Sequence, residues 1–140
     1  MRILRSQLPA PYDWERVGDI LMMRSVAGPI SNELWDEMLA ELATPQIRIV
    51  FALSFGASSI SAIQRKKTAD VMSVRNTPAI VVTDSRVTRG LLTAISWLGA
   101  NIQSYPWPKV EMAISRLDAT AQEQAKIRET TNEFRRLGES

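Results

Sequence analysis

Apolar positions along this chain fall into short continuous bursts that alternate with longer stretches of helical spacing, a pattern that predicts strands and helices in turn. "YDWERVGDILMMRSVAG" reads as two short strands, about 12–17 and 20–27, joined at Gly18-Asp19, a dipeptide suited to a tight hairpin turn. Gly28-Pro29 breaks the second strand. "SNELWDEMLAEL" then places Leu34, Trp35, Met38, Leu39 and Leu42 on one helical face, with Ser31 or Asn32 as cap and Glu33 near the positive end. "IRIVFAL" (47–53) is mostly apolar and β-branched, which suits a strand buried on both faces.

From Ser61 a helix is predicted through about Arg75, with Ile63, Val71 and Val74 inward and Arg65 and Lys66 toward water. "AIVVTDS" is another buried strand. "RVTRGLLTAISWLG" is a helix with Val87, Leu91, Ile95 and Leu98 spaced for one face and Gly99 as its stop. "NIQSY" is a weaker strand, and Pro108 starts "PKVEMAISRL", whose Val110, Ile114 and Leu117 face inward. The order predicts one α/β domain over residues 12–118: a single-layer mixed sheet of about five strands with an opening hairpin and about four helices. Residues 119–140 form a polar C-terminal helical extension with a thin stripe of Ala121, Ala125, Ile127, Phe134 and Leu137. Such a tail packs on the domain, meets a partner or frays.

Composition narrows the chemistry. At 140 residues, 45% hydrophobic and 23% charged, the chain has the make-up of an ordinary globular domain. No apolar run reaches spanning length, and "MRILRSQLPAP" lacks the apolar core of a secretory signal, so residues 1–11 are expected to be a loose end and the protein cytoplasmic. There is no cysteine and no histidine, which removes thiolate and Ser-His-Asp catalysis, disulfides and the commonest transition-metal ligands together. The sequence has neither G-x-G-x-x-G nor a P-loop, so no cofactor, no metal and no catalytic residue is expected. A net charge of +2, without aromatic interleaving of the basic residues, speaks against a nucleic-acid partner.

The richest stretch is "SSISAIQRKK". Ser61 and Gln64 fit a capping box, yet a helix start after a buried strand also stabilises an added anion, so Ser58, Ser59 and Ser61 are all candidate phosphorylation sites. "QRKK" fits either a solvated helix face or a patch for an acidic partner. Trp35 and Trp97 fall on helix patterns as core residues, while Trp14 and Trp107 lie near strand ends, where a half-exposed aromatic could anchor a partner. Asp84 and Ser85 stand at the next helix start; a phosphoaccepting aspartate is conceivable there, but a receiver domain needs acidic residues after its first strand, where this chain has "RSVAGPIS", and capping explains Asp84 better.

Element order, opening hairpin and mid-chain serine loop together resemble the STAS domain, the fold of anti-sigma-factor antagonists and sulfate-transporter tails. The resemblance spans about residues 12–118, and its sharpest parts are "IRIVFALSFGASSISAIQRKK" and "PAIVVTDSRVTRGLLTAISWLGANIQSYP". In that family the loop after the third strand often carries Asp-Ser-Ser/Thr-Gly, whose hydroxyl residue is phosphorylated by a partner kinase. Here the loop is "SFGASSIS", with no aspartate before the serines and no glycine after them. The resemblance implies a non-enzymatic regulatory module that binds a kinase-like or other regulatory protein and is switched by phosphorylation. The docking surface expected is the loop at 55–61 with Phe55, the helix start with Arg65 and Lys66, and the edge formed by Asp84, Ser85, Arg86 and Arg89. Two alternatives stand beside it: a constitutive assembly module that dimerises or docks through its C-terminal helix, and a small-molecule-binding α/β domain with a pocket beside Asp84.

Overall fold

The computed structural model of the chain describes residues 12–139, apart from the side chains of Ser58 and of residues 137–139. The loose end expected at residues 1–11 and the place of Leu137 in the tail stripe lie outside the described residues. In chain order the elements are β1 (Tyr12–Val17), β2 (Ile20–Ser25), β3 (Gly28–Pro29), α1 (Asn32–Leu42), β4 (Ile49–Ser54), β5 (Ser58–Ser59) and α2 (Ala62–Arg75). Then follow β6 (Ala79–Val82), α3 (Arg86–Trp97), β7 (Ile102–Tyr105), a 3-10 turn (Trp107–Lys109), α4 (Val110–Ser115) and α5 (Ala121–Glu139). This is the α/β class expected: a five-stranded mixed sheet with an opening hairpin, four α-helices and a C-terminal helix.

The hairpin pairs Val17 with Ile20, leaving Gly18 and Asp19 as a two-residue loop. A φ of +61° at Gly18 puts the left-handed residue first, the type II′ arrangement whose twist suits two antiparallel strands. The loop is clipped to the far end of the chain by Arg48. Its guanidinium holds the Asp19 carboxylate at 2.9 and 3.3 Å and donates to the Leu117 carbonyl at 2.9 Å. Hydrogen bonding from Arg48 keeps the Asp19 carboxyl below the usual carboxylate range. Because the folded pKa is depressed, this stabilisation is complete above the unfolded pKa and disappears as pH falls through the folded one. Both side chains are largely exposed, so the effect is about 0.5 kcal/mol. Urea midpoints at pH 6 and pH 3 are expected to differ less in Asp19→Asn than in the wild type; an identical pH dependence would show that the clip contributes nothing.

After the hairpin every sheet pairing is parallel, in the order β1-β2-β4-β6-β7. Each crossover steps one strand in the same direction, and the right-handed rule then stacks α1, α2 and α3 on one face. Strand alternation sorts the side chains accordingly. Leu21, Val50 and Ala79 meet Trp35, Met38 and Met72 on that face. Met22, Phe51, Leu53 and Val82 meet α4 and α5 on the other.

Several expected positions move. The second strand stops at Ser25 rather than residue 27, because the chain turns into β3, which pairs parallel with β5, Gly28 opposite Ser58. Helix α2 turns Gln64, Thr68, Ala69 and Met72 inward instead of Ile63 and Val74, with Val71 half-buried. The reason is hydrogen bonding: Gln64 Nε2 donates to the Ile30 carbonyl at 2.8 Å, and Trp35 Nε1 donates to Thr68 Oγ1 at 2.9 Å. In α3, Thr88 and Ile95 are buried while Val87, Trp97 and Leu98 are exposed, Trp97 to 83%, so the expected core role of Trp97 is corrected. Trp14 and Trp107, expected half-exposed, are buried. Pro108 lies in the 3-10 turn, two residues before α4 begins at Val110.

The C-terminal helix is packed, not free. Thr120 and Glu123 close a capping box at its start, and Ile127 and Phe134 are buried in the second core, while Ala121 and Ala125 are exposed. Among the described residues no helix is long and apolar enough to cross a membrane.

Candidate functional site

The serines lie on the connection between β4 and α2, and that connection is held from three sides. The Phe55 N–H donates to the Ser25 carbonyl at 3.1 Å, tying the loop to the end of β2. The β3–β5 bridge holds its middle, with Gly28 N–H on the Ala57 carbonyl at 3.4 Å. Thr88 Oγ1 on α3 donates to the Gly56 carbonyl at 3.4 Å. Gly56 adopts φ +77°, and a Cβ there would stand 2.9 Å from the Ala27 Cβ, so the turn needs glycine. The loop is therefore fixed across the C-terminal ends of β2 and β4, between the first turns of α2 and α3. This is the edge at which parallel sheets commonly place their sites.

The three serines differ in commitment. Ser61 caps α2, its Oγ accepting from Gln64 N at 3.1 Å while its own N–H donates to Gln64 Oε1 at 3.0 Å. Its hydroxyl is occupied. Ser59 is exposed, and its hydroxyl makes no hydrogen bond among the described residues. Ser58 contributes backbone to β5, and its side chain lies outside the described set.

The other expected docking residues divide in the same way. Phe55 is half-buried and stacks on Trp107, ring centroids 4.5 Å apart, with Phe134 behind at 5.1 Å; it supports the loop from the α5 side. Asp84 Oδ1 accepts from Trp107 N at 2.9 Å and so anchors the segment after β7, whereas the cap of α3 is Ser85, whose Oγ accepts from Thr88 N at 3.1 Å. Arg65 donates to the Ile60 carbonyl at 2.7 Å, and Lys66 pairs with Asp70 at 3.0 Å. Arg86 and Arg89 are exposed on the first turn of α3 and form no ion pair among the described residues.

Two residues missing from the expected surface belong to it. Ile63 is 67% exposed in the first turn of α2 and Val87 is 59% exposed in the first turn of α3, one on each side of the loop. The capping box already carried the signal for Ile63: once Gln64 reaches back to Ser61 and turns inward, its neighbour is rotated off the core. The loop thus lies between two helix starts that carry the exposed Ile63 and Val87, and β5 packs against α3, whose Arg86 and Arg89 form no ion pair among the described residues. Such a surface suits a partner with apolar contacts and an acidic rim. Comparison with known proteins finds no family model that matches the chain and no matching curated protein.

Proposed function

We propose that this chain is a STAS-like, non-catalytic regulatory module of the cytoplasm that binds a protein partner through the 55–61 loop and the flanking helix starts. The observation that carries this reading is the pair of exposed apolar side chains, Ile63 and Val87, on the helix starts that flank the hydrogen-bonded serine loop, with Arg86 and Arg89 exposed on the second of them. Ser59 is the favoured phosphoacceptor, because its hydroxyl has no structural duty among the described residues, while Ser61 is engaged in the cap. A phosphoryl group there would bring about −1.5 to −2 charges next to the arginines. It would take over their pairing and repel an acidic partner without disturbing the core.

Docking through the C-terminal helix draws no support, since Ile127 and Phe134 are spent on the chain's own core. The experiment is quantitative capture from the native cells with wild-type, Ser59→Asp and Val87→Asp baits, with mass spectrometry of residues 54–64. A stoichiometric partner held by the wild type is expected to bind each variant about tenfold more weakly or worse, at nearly unchanged melting temperature. Equal recovery on all three baits would remove the surface.

A further inference from the structure

On the helix-covered face of the sheet, beneath the serine loop, lies a cavity of about 80 Å³. Its floor comes from sequence: Ala52 and Ala79 interrupt strands otherwise built from large side chains, and they face Trp35, Met38 and Ile95 across the gap. Its rim is polar. Tyr12 pairs with Ser25, and Ser25 with Ser54, so three hydroxyl residues form one cross-strand row at the upper end of the cavity. Tyr12 Oη is buried and has no hydrogen-bond partner among the described residues, a costly state for a hydroxyl unless something in the cavity answers it.

We infer that this cavity is a binding site for a small neutral amphiphile, an apolar body carrying one hydroxyl or carbonyl group that Tyr12 Oη engages. The body lies over Ala52 and Ala79, and the polar group points toward the hydroxyl row. Among the described residues no charged side chain lines the cavity, so a carboxylate or phosphate would give up its hydration there without a counter-charge. Burial pushes the Tyr12 phenol well above its usual pKa, which keeps it protonated and able to donate. The space is narrow, and Met23, Met38 and Met72 are adaptable neighbours that let a short alkyl chain fit. Ala52, Ile60 and Leu92 retain partial exposure although they line the space, so it communicates with solvent. Asp84, beside which a pocket was expected, takes no part in it. The site stands independently of the docking surface.

The test is titration of the full chain, labelled at its methionine methyls, with 1-butanol and 1-hexanol, and with hexanoate as the anionic counterpart. Saturable shifts are expected at Met23, Met38 and Met72, not at Met22 on the opposite face or exposed Met112, and hexanoate should produce none. Tyr12→Phe is expected to weaken 1-hexanol binding about fivefold to tenfold, and Ala52→Leu to abolish it by filling the space. Should Ala52→Leu fail to fold, Tyr12→Phe decides alone, since it removes one oxygen. Absence of saturable shifts, undiminished binding in Tyr12→Phe, or equal binding of hexanoate overturns the site. So does a crystal structure in which Tyr12 Oη holds only ordered water that 1-hexanol does not displace.

Discussion

Phe134→Ala is expected to lower the unfolding free energy by about 3–5 kcal/mol, the usual cost of emptying a buried aromatic site. The ring is fully buried on α5, its centroid 5.1 Å from that of Phe55 and 6.4 Å from that of Trp107, so its loss empties the centre of an aromatic cluster. Urea denaturation of the full chain measures the effect as a lower midpoint. Because Phe55 begins the serine loop, the variant should also loosen residues 55–61, visible as faster amide exchange there at unchanged exchange in β4. A loss below about 1 kcal/mol would mean that α5 is dispensable to the core. The same packing makes deletion of residues 119–140 a test of folding rather than of docking.

Arg24→Ala is expected to cost a similar amount, about 3–5 kcal/mol, for a different reason. Asp13 and Arg24 face each other across the hairpin at 3% and 5% exposure, joined by two bonds of 3.2 and 3.3 Å, with the guanidinium 5.5 Å from the centre of the Phe134 ring. Removing the arginine takes two charge-assisted hydrogen bonds from a carboxylate buried beneath α5, and with them much of what offsets its desolvation. Replacing both residues, as in Asp13→Val with Arg24→Leu, should recover most of the loss, since an apolar pair needs no counter-charge. Urea midpoints of the two single variants and the double variant check this. Strictly additive losses would show that the two charges do not depend on one another.

The central strands and α1 were legible because their signals are largely apolar: the runs at Ile49–Ser54 and Ala79–Val82 fall within two or three residues of the bounds hydropathy gives, 47–53 and 79–85, and Trp35, Met38, Leu39 and Leu42 form the inward face expected of α1. Helix α2 was misread because its inward stripe is polar and satisfied internally, Gln64 by the Ile30 carbonyl and Thr68 by Trp35 and the Gln64 carbonyl. In α3 two apolar stripes share Ile95, one through Val87 and Leu91, the other through Thr88 and Leu92. Spacing alone could not choose between them; the buried Thr88, bonded to Gly56, decides it. Similarly, Thr130 and Thr131 fill the buried stripe of α5 between Ile127 and Phe134, so its packing was hidden from a hydropathy reading. The β3–β5 bridge involves only two residues on each side and leaves no periodicity to detect.

For the candidate site, sequence located the loop and its serines but not their division of labour. That division depends on contacts distant in the chain, such as Asp84 on Trp107 and Phe55 on Phe134. The exposed pair Ile63 and Val87 follows from the helix phases just described.

The most direct test of the proposed docking surface is hydrogen exchange of the full chain with and without its captured partner. Protection is expected at 55–65 and 86–90, lost when Ser59→Asp replaces the wild type. Protection confined to α5 or to the β7 edge, with residues 55–65 exchanging freely, would contradict it.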